Sequence, residues 1–264
     1  MPIYIIRYAE IFLKGKNRSM FEKKLVSNIK DCLKKNKVKY NSIKLAHNRI
    51  LVCSKEDCSC IKYVFGISSF SKATETEQDI EAMKKTSFKL YKKGSFRISS
   101  QRLEKSFKYN SEEINRIVGA YVVKNTRAPV NLEKPDTNIG IELFGNKAYL
   151  FNSKTKGLGG LPVGIEGNVA LLLEDYNSLL AGILMLKRGC SLIVIKKHNI
   201  GLKLLRKFCY GFNLKIAKSI PKNAKAVIVN DTLDSIKKRN FKIAIFRPLI
   251  GYNTEYLKKW LTSI

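Results

Sequence analysis

A glycine-rich segment divides the chain into two parts with different patterns of secondary structure. Between Lys156 and Gly164, four of the nine residues are glycine and one is proline. Glycine and proline interrupt regular structure, so this segment is expected to connect two domains. We therefore place a domain boundary between residues 166 and 167.

The part before this boundary mixes strands and helices in the order typical of α+β domains. Residues 2–8 are β-branched and aromatic and predict a strand. From Met20 to Asn36, apolar residues recur at helical spacing and predict an amphipathic helix. Further strands are predicted at 42–46, 49–53, 70–74, 95–100, 129–132, 138–143 and 147–153, and helices at 57–64, 79–92 and 111–123. We interpret this part as two α+β domains, residues 1–74 and 75–166.

Strands alternate with helices in the last part of the chain, residues 167–264. The predicted strands are 168–173, 191–195, 213–217, 224–229 and 242–246, and the predicted helices are 178–188, 200–210 and 253–262. This alternation favours a parallel, doubly wound sheet. The predicted fold is therefore two α+β domains followed by a small α/β domain with a parallel sheet.

The net charge of +29 indicates a polyanionic partner. The chain has 50 Lys+Arg against 21 Asp+Glu. The excess is spread along the chain, with +11 in residues 1–72, +5 in 73–166 and +13 in 167–264. Lysine and arginine release counterions from phosphates, which supplies most non-specific affinity for nucleic acid. Nucleotide bias of the genome explains why most of these residues are lysine, but it does not explain the shortage of carboxylates.

Neither export nor a membrane span is expected from the sequence. No apolar run reaches the length of a membrane-spanning helix, and the first residues do not resemble a leader. We predict a cytoplasmic protein with reduced thiols. Three cysteines, Cys53, Cys58 and Cys60, lie close together, but their spacing differs from that of zinc sites. No metal site is predicted, and the role of these cysteines stays open.

The first 166 residues resemble the tRNA 4-thiouridine sulfurtransferase (ThiI-type) family. The stretch Glu10-Ile-Phe-Leu-Lys-Gly-Lys-Asn-Arg-Ser-Met-Phe21 is similar to the opening of the family's N-terminal ferredoxin-like domain, and Val64–Ser71 is similar to the turn at the end of that domain. Residues 96–102, 111–122, 138–143 and 157–164 resemble a THUMP domain. The resemblance implies a ferredoxin-like domain at 1–74 and a THUMP domain at 75–166.

The third domain resembles the family's PP-loop ATP pyrophosphatase domain, in a shortened form. The family has a strand that runs into Ser-Gly-Gly-x-Asp-Ser, whose backbone amides contact the phosphates of ATP. Here Gly167–Leu173 matches the strand, whereas the loop after it reads Glu174, Asp175, Tyr176, Asn177 and Ser178. Carboxylates repel phosphates, and side chains at the glycine positions prevent close approach of the backbone. We therefore expect a degenerate nucleotide loop that does not bind ATP in the family's manner.

No catalytic residue is assigned in the third domain. The family is thought to use a pair of cysteines there, but Cys190 resembles a common structural position and Cys209 matches no catalytic motif. The stretch between Cys190 and Ile245 is also shorter than in the family. The segment Ile245–Tyr252 still resembles the family's Arg-Pro-Leu-Ile segment near the end of that domain.

The resemblance implies that the THUMP domain and its N-terminal neighbour hold tRNA by shape and phosphate contacts. The candidate RNA-binding residues are Lys14, Lys16, Arg18, Arg97, Arg102, Lys105, Lys108, Lys154 and Lys156. Three aromatic side chains lie near them in sequence and are candidates for stacking on a base, with core packing as the alternative: Phe12, Phe107 and Tyr109.

Three hypotheses follow from these residues. The first is a tRNA-binding THUMP protein that acts in tRNA modification as a binding or delivery subunit, without ATP-dependent catalysis of its own and without a cofactor. The second is an active tRNA uridine sulfurtransferase, which would need ATP and Mg. The third adds a protein partner, either a separate catalytic sulfurtransferase chain or a second copy. Its candidate contacts, with burial in the core as the alternative, are Tyr176, Leu179, Leu180 and Trp260.

Overall fold

The computed structural model describes residues 2–196 and 201–262. The chain divides into two compact units. The first unit comprises Met1–Tyr8, Val38–Ser59 and Ser69–Lys156, and the second comprises Ala9–Lys37, Cys60–Ser68 and Gly157–Ile264.

The regular elements are named here in chain order. Up to the glycine-rich segment they are β1 (Ile3–Arg7), α1 (Arg18–Lys35), β2 (Ser42–Ala46), β3 (Arg49–Cys53), β4 (Ser69–Glu77), α2 (Ile80–Leu90), β5 (Phe96–Arg102), α3 (Ser111–Thr126), β6 (Thr137–Phe144), β7 (Lys147–Phe151) and β8 (Thr155–Lys156). After it they are β9 (Gly167–Leu173), α4 (Tyr176–Lys187), β10 (Cys190–Lys196), α5 (Leu202–Arg206), β11 (Lys215–Ala217), β12 (Ala226–Ile228), β13 (Ala244–Phe246) and α6 (Thr254–Thr262). Short 3-10 helices occupy Glu10–Asn17, Ser59–Tyr63 and Leu233–Ser235.

The first unit is built on one eight-stranded sheet. Its strand order is β2-β3-β1-β4-β7-β6-β5, and β8 pairs with β4. Strand β4 changes partner along its length. Its first part pairs with β1, from Ser69 opposite Arg7 to Ala73 opposite Ile3, and its second part, from Thr74 onward, pairs with β7. This one strand therefore joins the strands predicted for residues 1–74 to those predicted for 75–166.

Helices α2 and α3 cover the β5–β6–β7 end of this sheet. Ile114, Val118 and Val122 recur on one side of α3 and are fully buried against Ile98 and Ile139. Helix α3 begins with a reciprocal cap in which Asn110 accepts the N–H of Glu113 and the Glu113 carboxylate accepts the N–H of Asn110. The helix start predicted at Ser111 is confirmed, with the cap one residue earlier.

The second unit is built on a five-stranded sheet with the order β11-β10-β9-β12-β13. Every pair of neighbouring strands in it is parallel. Strand β9 and helix α4 are apolar on nearly all sides, as in a strand and helix buried in a sheet's core. Gly182 of α4 faces Leu171 of β9 so closely that an added Cβ would lie 2.7 Å from the leucine Cδ2.

Three predicted elements differ from the structure. The strand predicted at 129–132 is reduced to a single bridge between Phe96 and Val130, because the Asn131 side chain then accepts the N–H groups of Glu133 and Lys134 and turns the chain. The predicted helix 57–64 is a 3-10 helix at Ser59–Tyr63. The predicted helix 200–210 is Leu202–Arg206, with position 200 outside the described residues.

Within the part of the chain that the structure describes, none of the helices combines the length and the apolar character needed to cross a membrane.

Candidate nucleotide crevice and RNA-binding surface

The parallel sheet of the second unit has a switch point between β9 and β12. Strands β10 and β11 lie on one side of β9, and β12 and β13 lie on the other. In open parallel sheets, ligands bind in the crevice outside the carboxyl ends of the strands at such a point. Residues 174–178 follow β9, and Asn230 and Asp231 lie just after β12. The predicted nucleotide loop is therefore at the position where this fold holds ligands.

Asp175 caps the N-terminus of α4 and accepts one N–H group of its first turn. The Asp175 Oδ1 atom accepts the N–H of Ser178 at 2.8 Å and the Ser178 hydroxyl at 2.9 Å. The Ser178 Oγ atom accepts the N–H groups of Glu174 at 3.1 Å and Asp175 at 3.2 Å. A phosphate bound at a helix N-terminus needs these same N–H groups. Protein oxygens hold them here.

The second carboxylate of the loop forms an ion pair across the crevice. Glu174 Oε2 lies 3.3 Å from Arg239 Nη2, and Arg239 also lies 3.0 Å from Asp231 Oδ1. Arg247 Nε donates to the other oxygen of Asp231 at 3.0 Å. Asn230 Nδ2 donates to Asp175 Oδ2 at 2.8 Å and so links the two strand ends directly.

Asp231 is the buried centre of this network, with a side chain that is 0% exposed. Burial alone would raise the pKa of its carboxyl group, but hydrogen bonds and charges from Arg239 and Arg247 outweigh burial and lower the pKa. The carboxylate is therefore ionised and fully engaged by protein groups.

The network includes residues that sequence reasoning did not assign. Asn230, Asp231 and Arg239 were not predicted, and Arg247 was noted only as part of the Arg-Pro-Leu-Ile resemblance. The sequence does contain one signal for Asn230 and Asp231, because a polar pair directly after a buried strand indicates a site at the strand's carboxyl end. Of the other loop residues, Tyr176 is 40% exposed, Asn177 is half-buried and Ser178 is buried.

The two cysteines of the third domain are buried and hard to ionise. Burial raises the pKa of the Cys190 thiol to about 11 and that of the Cys209 thiol to about 12. Cys209 Sγ also donates to the carbonyl of Leu205 at 3.0 Å. A thiol needs a lowered pKa to act as a nucleophile at neutral pH. Among the described residues, no group of His, Cys, Asp and Glu has the arrangement of a metal site, and Cys53, Cys58 and Cys60 are not in disulfides.

Six of the nine candidate RNA-binding residues lie in the first unit. Lys105, Lys108, Lys154 and Lys156 are exposed. Arg97 and Arg102 are half-buried on β5 and bind neighbouring loops. Arg97 donates to the carbonyl of Leu132 at 2.7 Å. Arg102 donates to the carbonyls of Phe107 and Tyr109, both at 3.1 Å. The four lysines, rather than the two arginines, present charge to solvent.

The first unit also contains a cavity that was not predicted from the sequence. The cavity has a volume of about 810 Å³ and is lined by Lys44 and Lys72 together with Tyr149, Asn152 and Ser153. Strand β8 carries Lys156 and pairs with β4, which carries Lys72. The exposed lysines Lys44 and Lys72 extend the basic surface of the first unit.

The other three candidates lie in the second unit. Lys14 and Lys16 belong to the 3-10 helix Glu10–Asn17, and Arg18 begins α1. The Arg18 guanidinium lies 4.7 Å from the Phe12 ring centre and pairs with Glu22 at 2.7 Å. Phe12 is 39% exposed, so it keeps a partly open face.

The other two candidate stacking side chains pack against the core. Phe107 and Tyr109 form an edge-to-face pair with 5.8 Å between their ring centres, and both pack on the core under α3. Among the candidates for contacts with a partner, Leu179 and Leu180 are buried in the core of the second unit. The side chain of Trp260 lies outside what the structure describes.

The fold defines a class of protein in which α+β domains with exposed lysines are followed by a domain with an all-parallel sheet. The model of the ThiI ferredoxin-like domain matches residues 3–71, and the THUMP domain model matches residues 73–152. The solved structure of PH1313 from Pyrococcus horikoshii Ot3 has a TM-score of 0.89 with 32% identity, covering 100% of this chain and 99% of that chain. A 4-thiouridine synthetase, solved in complex with RNA and ATP, has a TM-score of 0.80 at 24% identity, covering 100% and 84%, and shares the fold.

Curated relatives identify the family. A probable tRNA sulfurtransferase of Thermococcus kodakarensis is 33% identical over 323 aligned positions, covering 96% of this chain and 85% of that protein. A probable tRNA sulfurtransferase of Mycoplasmopsis synoviae is 40% identical over 189 residues, covering 70% of this chain and 49% of that protein. This chain belongs to the tRNA sulfurtransferase family. It spans about half the length of several of the bacterial relatives that it matches.

The predicted fold class is confirmed. A ferredoxin-like domain and a THUMP domain are followed by a domain with an all-parallel sheet. The exact limits 1–74, 75–166 and 167–264 stay predictions.

Proposed function

We propose that this chain binds tRNA and acts in tRNA modification as a binding or delivery subunit, without ATP-dependent catalysis of its own. The relatives are named tRNA sulfurtransferases, and the THUMP match and the exposed lysines of the first unit support tRNA as the partner. Membership of a tRNA-modification family supports a cytoplasmic location.

One observation supports the non-catalytic part of this proposal: Asp175 caps the N-terminus of α4 and accepts the Ser178 N–H at 2.8 Å. A triphosphate there would have to break the Asp175 cap and lie beside two carboxylates. Each carboxylate at about 4 Å would cost about 1 kcal/mol in water and several times more in a shielded crevice. Loss of the cap would cost about 1 kcal/mol in addition.

An ATP titration tests this part. Isothermal calorimetry of the full chain with ATP and MgCl₂ is expected to give no binding up to millimolar ATP. The double variant Glu174→Gly and Asp175→Gly serves as a comparison, because it removes both charges and the cap. Micromolar, Mg-dependent binding by the unaltered chain would overturn the proposal.

The RNA-binding part predicts a strong dependence on salt. Binding through phosphate contacts weakens with a slope close to the number of phosphates neutralised, which is about a thousandfold loss between 50 and 200 mM salt for six contacts. Fluorescence anisotropy with a labelled tRNA transcript measures this slope. The variant Lys154→Ala with Lys156→Ala is expected to weaken binding and to reduce the slope by about 1 to 2.

A matched control is available on α2. Lys85 and Lys89 are exposed lysines of the first unit that were not predicted to touch RNA. Their double alanine variant is expected to bind tRNA as the unaltered chain does. A binding constant that is insensitive to salt, or equal losses in both double variants, would contradict the assigned surface.

An active sulfurtransferase is the second candidate, and family membership favours it. It requires ATP and Mg in the crevice. Incubation of the chain with tRNA, ATP, Mg and a sulfur donor, followed by a mercury-containing gel that retards thiolated RNA, distinguishes the two. We expect no retarded band with this chain alone. Repeating the assay with an added catalytic sulfurtransferase, and measuring the mass of the chain by light scattering, tests for a separate catalytic chain and for a homodimer.

A further inference from the structure

A second cavity in the second unit lies at the opposite end of α4 from the nucleotide crevice. Its volume is about 400 Å³, and its lining includes Glu10, Met185, Lys187, Arg188, Pro248 and Tyr252. Helix α4 has 12 residues, so its two ends are about 18 Å apart. The cavity is therefore distinct from the crevice that contains Asp175 and Asp231.

Tight backbone contacts fix the walls of this cavity. The Gly160 N–H donates to Glu10 Oε1 at 3.0 Å, and the Leu161 N–H donates to the Lys187 carbonyl at 2.9 Å. Gly160 has φ +76°, and an added Cβ would lie 2.2 Å from that same carbonyl oxygen. The glycine-rich segment thus holds Glu10 against the end of α4.

Arg188, the residue that follows α4, supplies positive charge to the cavity. The last carbonyls of the helix are satisfied, since Leu184 and Leu186 accept the N–H groups of Arg188 and Gly189 at 3.1 and 2.9 Å. Arg188 is exposed and takes part in no ion pair recorded among the described residues. Its guanidinium is available to a phosphate, for which its planar donors are well suited.

An aromatic side chain and a carboxylate complete the lining. Tyr252 is 50% exposed, and the bond from its N–H to the Leu249 carbonyl at 3.1 Å holds it in a tight turn next to Pro248. Exposed aromatic rings serve as stacking platforms for unpaired bases in proteins that bind single-stranded nucleic acid. Glu10 uses one oxygen for Gly160, so the second oxygen is an acceptor for a ligand donor.

We propose that this cavity binds one unpaired nucleotide of the RNA, with the base on Tyr252, the phosphate at Arg188 and an exocyclic amino group of the base at Glu10. The inference rests on the proposed RNA binding. The volume lies within the range of about 300 to 1,000 Å³ that small-molecule pockets occupy. A carboxylate accepts from the exocyclic amino group of adenine or cytosine, whereas uracil has the carbonyl oxygen O4, an acceptor, at the position of the cytosine amino group. The cavity is therefore selective against uracil.

Single-stranded oligonucleotides test the proposal on the full chain. Anisotropy with A8, C8 and U8 is expected to rank U8 weakest. Tyr252→Ala is expected to weaken A8 binding by about 5- to 100-fold, as for the loss of one stacked base. The matched control is Tyr256→Ala on α6, since Tyr256 is 65% exposed and does not line the cavity. It is expected to bind A8 as the unaltered chain does.

Two further measurements separate this site from general RNA binding. Glu10→Gln keeps an acceptor for Gly160 but adds an amide donor, so it is expected to bring U8 level with A8. Ultraviolet cross-linking to A8 followed by mass spectrometry is expected to label the peptide that contains Tyr252. Arg188→Ala, an exposed position, tests the phosphate contact if Tyr252→Ala fails to fold.

Each outcome bears on one proposal or on both. If the unaltered chain binds tRNA but Tyr252→Ala and Arg188→Ala bind A8 unchanged, the nucleotide site is wrong and the proposed function stands. If cross-links fall only in the first unit, the site is also wrong. If the unaltered chain binds no RNA, both proposals fail.

Discussion

The substitution Glu142→Gln in the first unit gives a quantitative test of what holds its sheet together. Glu142 of β6 accepts from Arg7 of β1 at 2.6 Å and from Arg49 of β3 at 2.8 Å. The three side chains are only 5%, 8% and 8% exposed. One carboxylate therefore pairs with two buried guanidinium groups, and the three side chains come from three different strands.

The magnitude follows from the charge left behind. Removing one partner of a buried ion pair costs about 3 to 5 kcal/mol, because the other charge stays buried without compensation. Glutamine keeps the shape, but it removes two attractions and leaves Arg7 and Arg49 repelling each other. Arg7 retains a bond to the Ser71 hydroxyl at 3.1 Å, which offsets part of the loss. We expect a decrease of about 4 kcal/mol in the free energy of unfolding.

Urea unfolding of the full chain, followed by circular dichroism, measures this decrease. The control is Glu81→Gln, which removes a pair with Lys84 in which the glutamate is 59% exposed. It is expected to cost less than about 0.5 kcal/mol. A triple variant, Arg7→Met, Arg49→Met and Glu142→Leu, is expected to be about as stable as the unaltered chain, because well-packed apolar side chains often replace a buried triad without loss. A Glu142→Gln variant within about 1 kcal/mol of the unaltered chain would refute the charge argument.

Three further predictions concern the second unit. The folded-state pKa of Asp231 lies below its unfolded value. Its contribution to stability is therefore present above about pH 4 and is lost as the pH falls through the folded value. Asp231→Asn is expected to make the urea midpoint depend less on pH between pH 3 and 7. Gly160→Ala is expected to lower the free energy of unfolding by about 2 to 3 kcal/mol in thermal melting. Gly15→Ala is the control, because an added Cβ there meets nothing within 4 Å, and it is expected to cost only about 1 kcal/mol. The raised pKa values predict that Cys190 and Cys209 react with iodoacetamide at pH 8 only after unfolding, and alkylation of either thiol in the folded chain, mapped by mass spectrometry, would contradict this.

Local patterns in the sequence were sufficient to predict most elements. Gly145 and Asn146, which join the predicted strands 138–143 and 147–153, have φ of +57° and +58°, as in the hairpin turn that such a pair favours. Helix α4 begins at Tyr176, two residues before its predicted start, because Asp175 caps it. The aspartate whose charge disfavours phosphate binding is therefore also the cap of the helix. Its capping role was not predicted from the sequence.

Contacts between distant residues could not be predicted in the same way. Arg7 and Glu142 are 135 residues apart, and only the register of β1, β4, β7 and β6 brings them together. Asp231 reaches Arg239 and Arg247 through loops whose path no periodic pattern specifies. The strand predicted at 129–132 failed for a related reason, because the Asn131 side chain competes with the neighbouring strand for backbone N–H groups.

The parallel-sheet domain has a structural use that does not depend on catalysis. Polar side chains of α1 bind the segment 209–212 of that domain: Asp31 accepts the Gly211 N–H at 2.7 Å, and Lys24 and Lys35 donate to the carbonyls of Gly211 and Cys209 at 3.1 and 3.0 Å. Asn28 of α1 is 1% exposed and donates to the Val163 carbonyl at 3.0 Å.

A chain that ended before Gly157 would lose these hydrogen bonds of α1, each with a net contribution of about 0.5 to 1.5 kcal/mol. The proposed loss of ATP binding would remove a reason to keep residues 174–178 as they are in the family, but it would not remove the reason to keep the sheet. On this proposal, an altered nucleotide loop and an intact sheet are compatible in one chain.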